Sequence, residues 1–198
     1  DNQNTVQKYN NIMRRYICLS LLFSTWLNVQ AQEVYNAHQL DISFYSSTPV
    51  KSFKAWSTSG TSSINPGKQE ISFSVDIPSF TFYRLLMQEH FNKKYMKSNR
   101  YPRATFKGHL KEPIDLSAEG IHQVTAQGTL TIHGKKQERE ISGSITVKDD
   151  IVHLKSDFIV LTSDHDILIP LSLQDQISSE IRVQVRGEYA PSDKLVRK

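Results

Sequence analysis

The sequence predicts an all-β chain of about eight antiparallel strands with one short helical insertion, arranged as a closed barrel or a sandwich. Three observations predict it. From Gln39 onward apolar residues recur at every second position, the period of a strand with one buried face. Turn-forming stretches such as Gly134-Lys135-Lys136 and Asp149-Asp150 cut that alternation into short runs. Only one stretch, Phe82 to Phe91, changes to helical spacing.

Taken in order, Leu40, Ile42 and Phe44 alternate with Asp41, Ser43 and Tyr45, and a second strand lies near Val50 to Trp56. Ile71, Phe73, Val75 and Ile77 alternate with Ser72, Ser74 and Asp76 until Pro78-Ser79 ends the run. The pairs Phe82/Leu86 and Met87/Phe91 then stand at i, i+4, which makes Phe82 to Phe91 a helix of two to three turns. Pro102 closes the following loop, and the chain returns to a strand over Thr105 to Leu110. Val124, Ala126, Gly128, Leu130 and Ile132 form the next apolar face, ending at His133. Ile141, Gly143, Ile145 and Val147 repeat the scheme, and so do Val152, Leu154, Phe158 and Val160. Ile181, Val183, Val185, Gly187 and Tyr189 close the domain, leaving 190–198 as a polar tail.

The N-terminal part reads differently. Arg14 and Arg15 precede an apolar run from Tyr16 to Leu27, and Val29-Gln30-Ala31 has the small final residue of a signal-peptide cleavage site. The run is too short for a bilayer span of about 20 residues. Residues 13–31 are therefore expected to be a secretory signal, residues 1–12 a non-native or mis-started leader, and residues 34–189 a single β domain, exported to a periplasm or beyond the cell. The chain's one cysteine, Cys18, lies early in the apolar run rather than at its end, where an acylated cysteine would stand. The exported domain thus carries no disulfide and relies on packing. Its basic residues are scattered, the formal net charge of the whole chain is +4, and no basic stripe suited to a phosphate backbone is present.

The chain has seven histidines, which invites a search for catalysis. His90 lies in Gln88-Glu89-His90-Phe91, without the second histidine at i+4 that a metal-binding helix needs. Asp164-His165-Asp166 is a dense cluster, but adjacent residues on a strand or turn diverge, so a solvated turn is the expected reading. His133 reads as a hairpin-edge residue with no partner for acid–base chemistry. No phosphate loop or nucleophile elbow occurs. The remaining signal is aromatic: Phe44, Phe53, Phe73, Phe82, Phe91, Phe106 and Phe158 all fall on apolar faces, which suits ordinary core packing as well as an internal tunnel with a lid.

Several ordered motifs carry a specific likeness. Phe73-Ser74-Val75-Asp76-Ile77-Pro78-Ser79-Phe80, Leu86-Met87-Gln88-Glu89-His90-Phe91, Tyr95-Met96 and Tyr101-Pro102-Arg103-Ala104-Thr105-Phe106-Lys107-Gly108 together resemble the YceI-like lipid/polyisoprenoid-binding family. So do Gly128-Thr129-Leu130-Thr131-Ile132-His133-Gly134 and the closing block Ile167-Leu168-Ile169-Pro170 with Ile177 to Val185. The resemblance implies a lipocalin-like antiparallel barrel, exported in bacteria, whose tunnel holds a long isoprenoid or isoprenoid-quinone-like lipid; reversible sequestration of such a lipid is the expected mechanism, with the Phe82 to Phe91 helix and the loop to Tyr101 as its gate. It implies no catalytic residue, no metal and no cofactor, and leaves a homodimer open. One departure stands out: the family often carries an aromatic and a glycine where this chain has His165-Asp166, so the tunnel or its nearby loop is expected to differ there.

Strand alternation nominates the tunnel lining as Phe73, Val75, Phe82, Leu86, Phe91, Phe106, Leu130, Ile132, Ile145, Phe158, Val160, Ile181 and Val183. Two competing readings stand beside a lipid carrier. A filled barrel would act as a surface or periplasmic interaction module and yield no lipid on extraction. An enzyme using His90 or His133 would lose turnover when either is replaced.

Overall fold

The computed structural model describes residues 33–149 and 151–192. The leader and signal read from residues 1–31, and the tail beyond residue 192, lie outside them. Nine strands follow one another: β1 (Tyr35–Ser47), β2 (Ser52–Asn65), β3 (Glu70–Asp76), β4 (Thr81–Phe82), β5 (Arg103–Leu110), β6 (Gly120–Ile132), β7 (Lys135–Lys148), β8 (Ile151–Leu161) and β9 (Glu180–Pro191). A short helix, α1 (Leu85–His90), continues as a π turn over Phe91–Tyr95.

All pairings are antiparallel, in the order β1-β9-β8-β7-β6-β5-β3-β2, and β1 pairs with β2 to close the ring. The sheet is therefore an eight-stranded barrel with no open edge around its circumference. This resolves the choice between barrel and sandwich that periodicity leaves open. Strand faces behave as the alternation predicts. Leu40, Ile42, Phe106, Leu130, Leu154 and Val185 turn inward and are buried, while Asp41, Lys107, Gln127 and Lys155 lie exposed on the outside.

The ninth strand explains the helical insertion. β3 pairs with β5 along its whole length, Glu70–Asp76, but with β2 only over Thr61–Asn65. The edge of β2 freed at Ala55 and Trp56 is taken by β4. Phe82 thus lies on a strand rather than in the helix expected to start there, because pairing with Ala55 fixes it extended before the chain turns into α1. α1 and its π turn span the place where β2 and β3 part.

Three boundaries also differ from the sequence reading. β2 runs on to Asn65, because a register shift lets Leu40 face Gly60 while Ile42 faces Ser57; Ser57-Thr58-Ser59-Gly60 resembles a turn but is a bulge inside a long strand. The β6–β7 turn is His133-Gly134, with φ of 52° and 73°, so His133 is a turn residue and Lys135 and Lys136 belong to β7. Positive φ at both central residues is what a tight hairpin matched to strand twist requires. A methyl group on Gly134 would also meet the Tyr101 ring at 2.5 Å, so glycine is needed here on two counts. Finally, β9 runs to Pro191, where Ser192 N–H donates to the Val34 carbonyl at 2.9 Å.

At one end the barrel is solid. Ala37, Leu40, Ile64, Ile145, Val147, Val152 and Tyr189 are buried there, and Leu40 sits over Gly187 so closely that a side chain at 187 would strike its Cδ2. Tyr189 Oη donates to Ser62 Oγ at 2.8 Å, and Ser62 Oγ in turn donates to the Ser72 carbonyl at 2.7 Å, so the polar atoms of this plug are satisfied. Burial pushes the Tyr189 phenol well above its ordinary pKa.

Candidate functional site

At the other end the interior is hollow. A cavity of about 480 Å³ occupies it, within the usual range of ligand sites. Its wall is built strand by strand from inward positions: Ile42 and Phe44 on β1, Phe73 and Val75 on β3, Phe106 on β5, Leu130 and Ile132 on β6, Phe158 and Val160 on β8, and Ile181, Val183 and Val185 on β9. Phe82 of β4, Leu86 and Met87 of α1, and Phe91 and Tyr95 of the π turn complete one side. The segment between β8 and β9 supplies Ile167, Ile169, Leu173 and Ile177 on another.

Five phenylalanines gather where the insertion meets the barrel. Phe91 stacks on Phe44 with ring centroids 5.3 Å apart and lies 5.1 Å from Phe82, while Phe80 sits 5.2 Å from Phe44 and Phe53 sits 6.3 Å from Phe82. Tilted and edge-on ring pairs of this kind add to plain area burial. They fasten α1 to the barrel through contacts that carry no directional hydrogen bond. The charged side chains on the cavity wall are Lys51 and Arg84, both exposed, and the imidazole of His90 also borders it; no Asp or Glu among the described residues does.

The nominated lining residues Phe73, Val75, Phe82, Leu86, Phe91, Phe106, Leu130, Ile132, Phe158, Val160, Ile181 and Val183 all border the cavity. Ile145 does not. It is fully buried and stands on the plug side of the wall, two positions before Val147 on β7, with Leu154, which does border the cavity, directly across on β8. Alternation reports that a side chain points inward, not how far along the barrel it sits. Phe80, Met87, Tyr95 and the Ile167–Ile177 segment border the cavity from outside the strands and are not in the nominated set, and neither are Ile42, Phe44 and Val185, which strand alternation does place on inward faces; the apolar Ile167-Leu168-Ile169 run is the signal available for the β8–β9 segment.

The histidines are placed apart. His90 borders the cavity. His133 packs edge-on against Tyr101 at 4.7 Å and donates through Nδ1 to the His165 carbonyl at 3.0 Å. His165, 1% exposed, donates through Nδ1 to the Lys135 carbonyl at 3.2 Å, and burial lowers its pKa. Its neighbours diverge, Asp164 toward Arg139 at 3.3 Å and Asp166 toward Lys135 at 2.6 Å. The Lys135 ammonium holds the Asp166 carboxyl below the usual range. Among the described residues no group of three or more His, Cys, Asp or Glu is placed to hold a metal ion. At His165-Asp166, Asp166 takes the left-handed conformation, φ 52°, and His165 fills a buried site.

A closed antiparallel barrel, plugged at one end and hollow and apolar at the other, with a helix laid across its wall, defines a lipocalin-like barrel. The YceI-like domain pattern matches residues 29–189, and the chain belongs to that family. Among solved structures it is similar to a polyisoprenoid binding domain from Saccharophagus degradans implicated in plant cell wall breakdown. That likeness has a TM-score of 0.67 at 15% identity over 79% of this chain and 98% of the other. Burkholderia cenocepacia BcnA gives a TM-score of 0.65 at 15% identity over 75% and 95% of the two chains. A Campylobacter jejuni YCEI protein gives 0.51 at 17% identity over 65% and 77%. No curated protein sequence matches the chain.

Proposed function

We propose that this chain is an exported carrier that sequesters a long apolar lipid, of the polyisoprenoid or isoprenoid-quinone kind, inside the barrel and performs no chemistry on it. The observation that carries this reading is the cavity itself, about 480 Å³ of space walled by aliphatic and aromatic side chains, with its cationic groups Lys51 and Arg84 in exposed positions. The description of the Saccharophagus degradans domain as polyisoprenoid binding supports the choice of cargo. The Arg14-Arg15 pair and the Tyr16 to Leu27 run support export.

The physical logic is transfer from water. Each buried CH₂ contributes about 0.8 kcal/mol, so a tail of about four isoprene units would lose on the order of 10 kcal/mol by standing in water. A dry wall that matches the tail in shape recovers that free energy without any polar contact. Phe91 meets Phe44, Phe80 and Phe82 through ring contacts alone, so α1 can swing from the barrel and return at the cost of one long hydrogen bond, Phe82 N–H to Gln88 Oε1 at 3.4 Å. On this reading α1 and the loop to Tyr101 act as the gate.

The test is native mass spectrometry of residues 32–198 purified from a bacterial periplasm, followed by organic extraction. A stoichiometric isoprenoid or quinone is expected, and Leu130→Asp, which sets a charge in the wall, should abolish it. A folded protein that stays empty after incubation with such lipids would turn the reading toward an interaction module.

A further inference from the structure

The apolar residues that border the cavity do not account for all the apolar residues around its mouth. Leu85 is 83% exposed, Leu168 85% and Leu171 86%, and none of the three borders the cavity. They come from two segments that each show an apolar face both ways: Leu86 faces the cavity beside Leu85, and Ile167 and Ile169 do so beside Leu168. Val50, at the β1–β2 turn, and Tyr83 are exposed as well. Thr48 Oγ1 donates to the Asp175 carbonyl at 2.6 Å, which ties that turn to the β8–β9 segment. Helix α1 buries none of its side chains fully. Leucines this exposed, clustered around one opening, mark a surface that meets an apolar phase or partner.

Charge decides which. Lys51 and Arg84 stand at the opening itself, and Lys93 and Lys94 follow in the π turn, where only Lys93 is matched by an acid, Glu89 at 2.8 Å. Asp175 is the rim's own acid in the β8–β9 segment, while Asp164 and Asp166 are already paired with Arg139 and Lys135. The far end differs: its connections hold Glu112, Asp115, Glu119 and Asp149 against Lys68 and Lys111, and Lys111 is already paired with Glu140 at 2.6 Å. A molecule basic and leucine-rich around its mouth and acidic at its plug is oriented by an anionic bilayer, which attracts Lys and Arg electrostatically while leucines enter the interface. A face-to-face pair of copies would set the same cations against each other.

We propose that the rim of the cavity docks on anionic lipid bilayers, with Leu85, Leu168 and Leu171 inserted and Lys51, Arg84 and Lys94 on the headgroups, so that the mouth opens directly onto the membrane. The purpose of that geometry rests on the lipid-carrier reading, but docking itself is measured separately. Residues 32–198, which carry the whole closed sheet, are sedimented with vesicles of equal phosphatidylglycerol and phosphatidylcholine, and with phosphatidylcholine alone. Binding to the anionic vesicles is expected to weaken at least tenfold in 0.5 M salt, on the neutral vesicles, and in a Leu85→Gln/Leu168→Gln/Leu171→Gln variant. Those exposed side chains can be changed without touching the cavity wall, and an unaltered unfolding curve checks this.

Vesicle binding that ignores salt and the triple variant, or no binding at all, would overturn the proposal. A concentration-dependent dimer that the same variant dissolves would overturn it in favour of a second copy as the occupant. Wild-type protein that docks but never yields lipid on extraction would sink the carrier reading and leave docking intact. Protein that carries lipid yet ignores vesicles would do the reverse.

Discussion

Replacing Ile145 by Ala separates a residue of the plug from a residue of the cavity wall. The side chain is fully buried, and the three carbons removed correspond to about 2.4 kcal/mol of transfer free energy at about 0.8 kcal/mol each. The plug is crossed by long paired strands and cannot collapse onto the hole, so a cavity term of roughly 1–2 kcal/mol adds to it, for a total near 4 kcal/mol. With a urea dependence of about 2 kcal/mol per molar, the unfolding midpoint should fall by about 2 M. Lipid capacity, measured by extraction from protein loaded well below that midpoint, should stay at the wild-type level, because Ile145 does not border the cavity. A midpoint change under about 0.5 M together with altered lipid uptake would place Ile145 in the wall, as strand alternation suggests, and would refute the division of the barrel into plug and cavity.

Two further outcomes follow from buried titratable groups. The Tyr189 phenol is held above its ordinary pKa by burial, so its contribution to stability is complete below about pH 10 and is lost as pH rises beyond that. Tyr189→Phe should cost about 1 kcal/mol at neutral pH through the lost Ser62 hydrogen bond, yet flatten the fall in urea midpoint between pH 9.5 and 11; an equally steep fall would exclude Tyr189 as its source. His165 is shifted the other way by burial, so stability is complete above about pH 6.5 and declines as pH drops below it. His165→Phe, the kind of residue the family often carries there, should reduce the loss of midpoint between pH 7.5 and 5, and an unchanged loss would assign it elsewhere.

The docking proposed for the rim and the lipid capture proposed for the barrel differ in what they ask of sequence. Cargo capture needs a set of inward apolar positions, and those were legible: Phe73, Phe106, Leu130, Phe158 and Val183 were nominated from alternation and all border the cavity. Docking needs to know which apolar residues remain uncovered. Leu85 and Leu86 are neighbours of identical type and both are exposed, 83% and 61%, yet only Leu86 borders the cavity, and their positions around the opening make that difference.

By itself, the sequence determined the strand class, the inward face of most strands and the family, because a period of two and ordered local motifs are properties of contiguous residues. Closure of β1 on β2, the bulge that carries β2 through Ser57–Gly60, the capture of Phe82 by Ala55 and the position of Ile145 along the barrel axis were decided only in the tertiary structure. Each of these depends on which distant strand lies alongside. A two-residue period states the side of a sheet on which a side chain stands; it carries no coordinate along the barrel, and that coordinate separates a solid end from a hollow one.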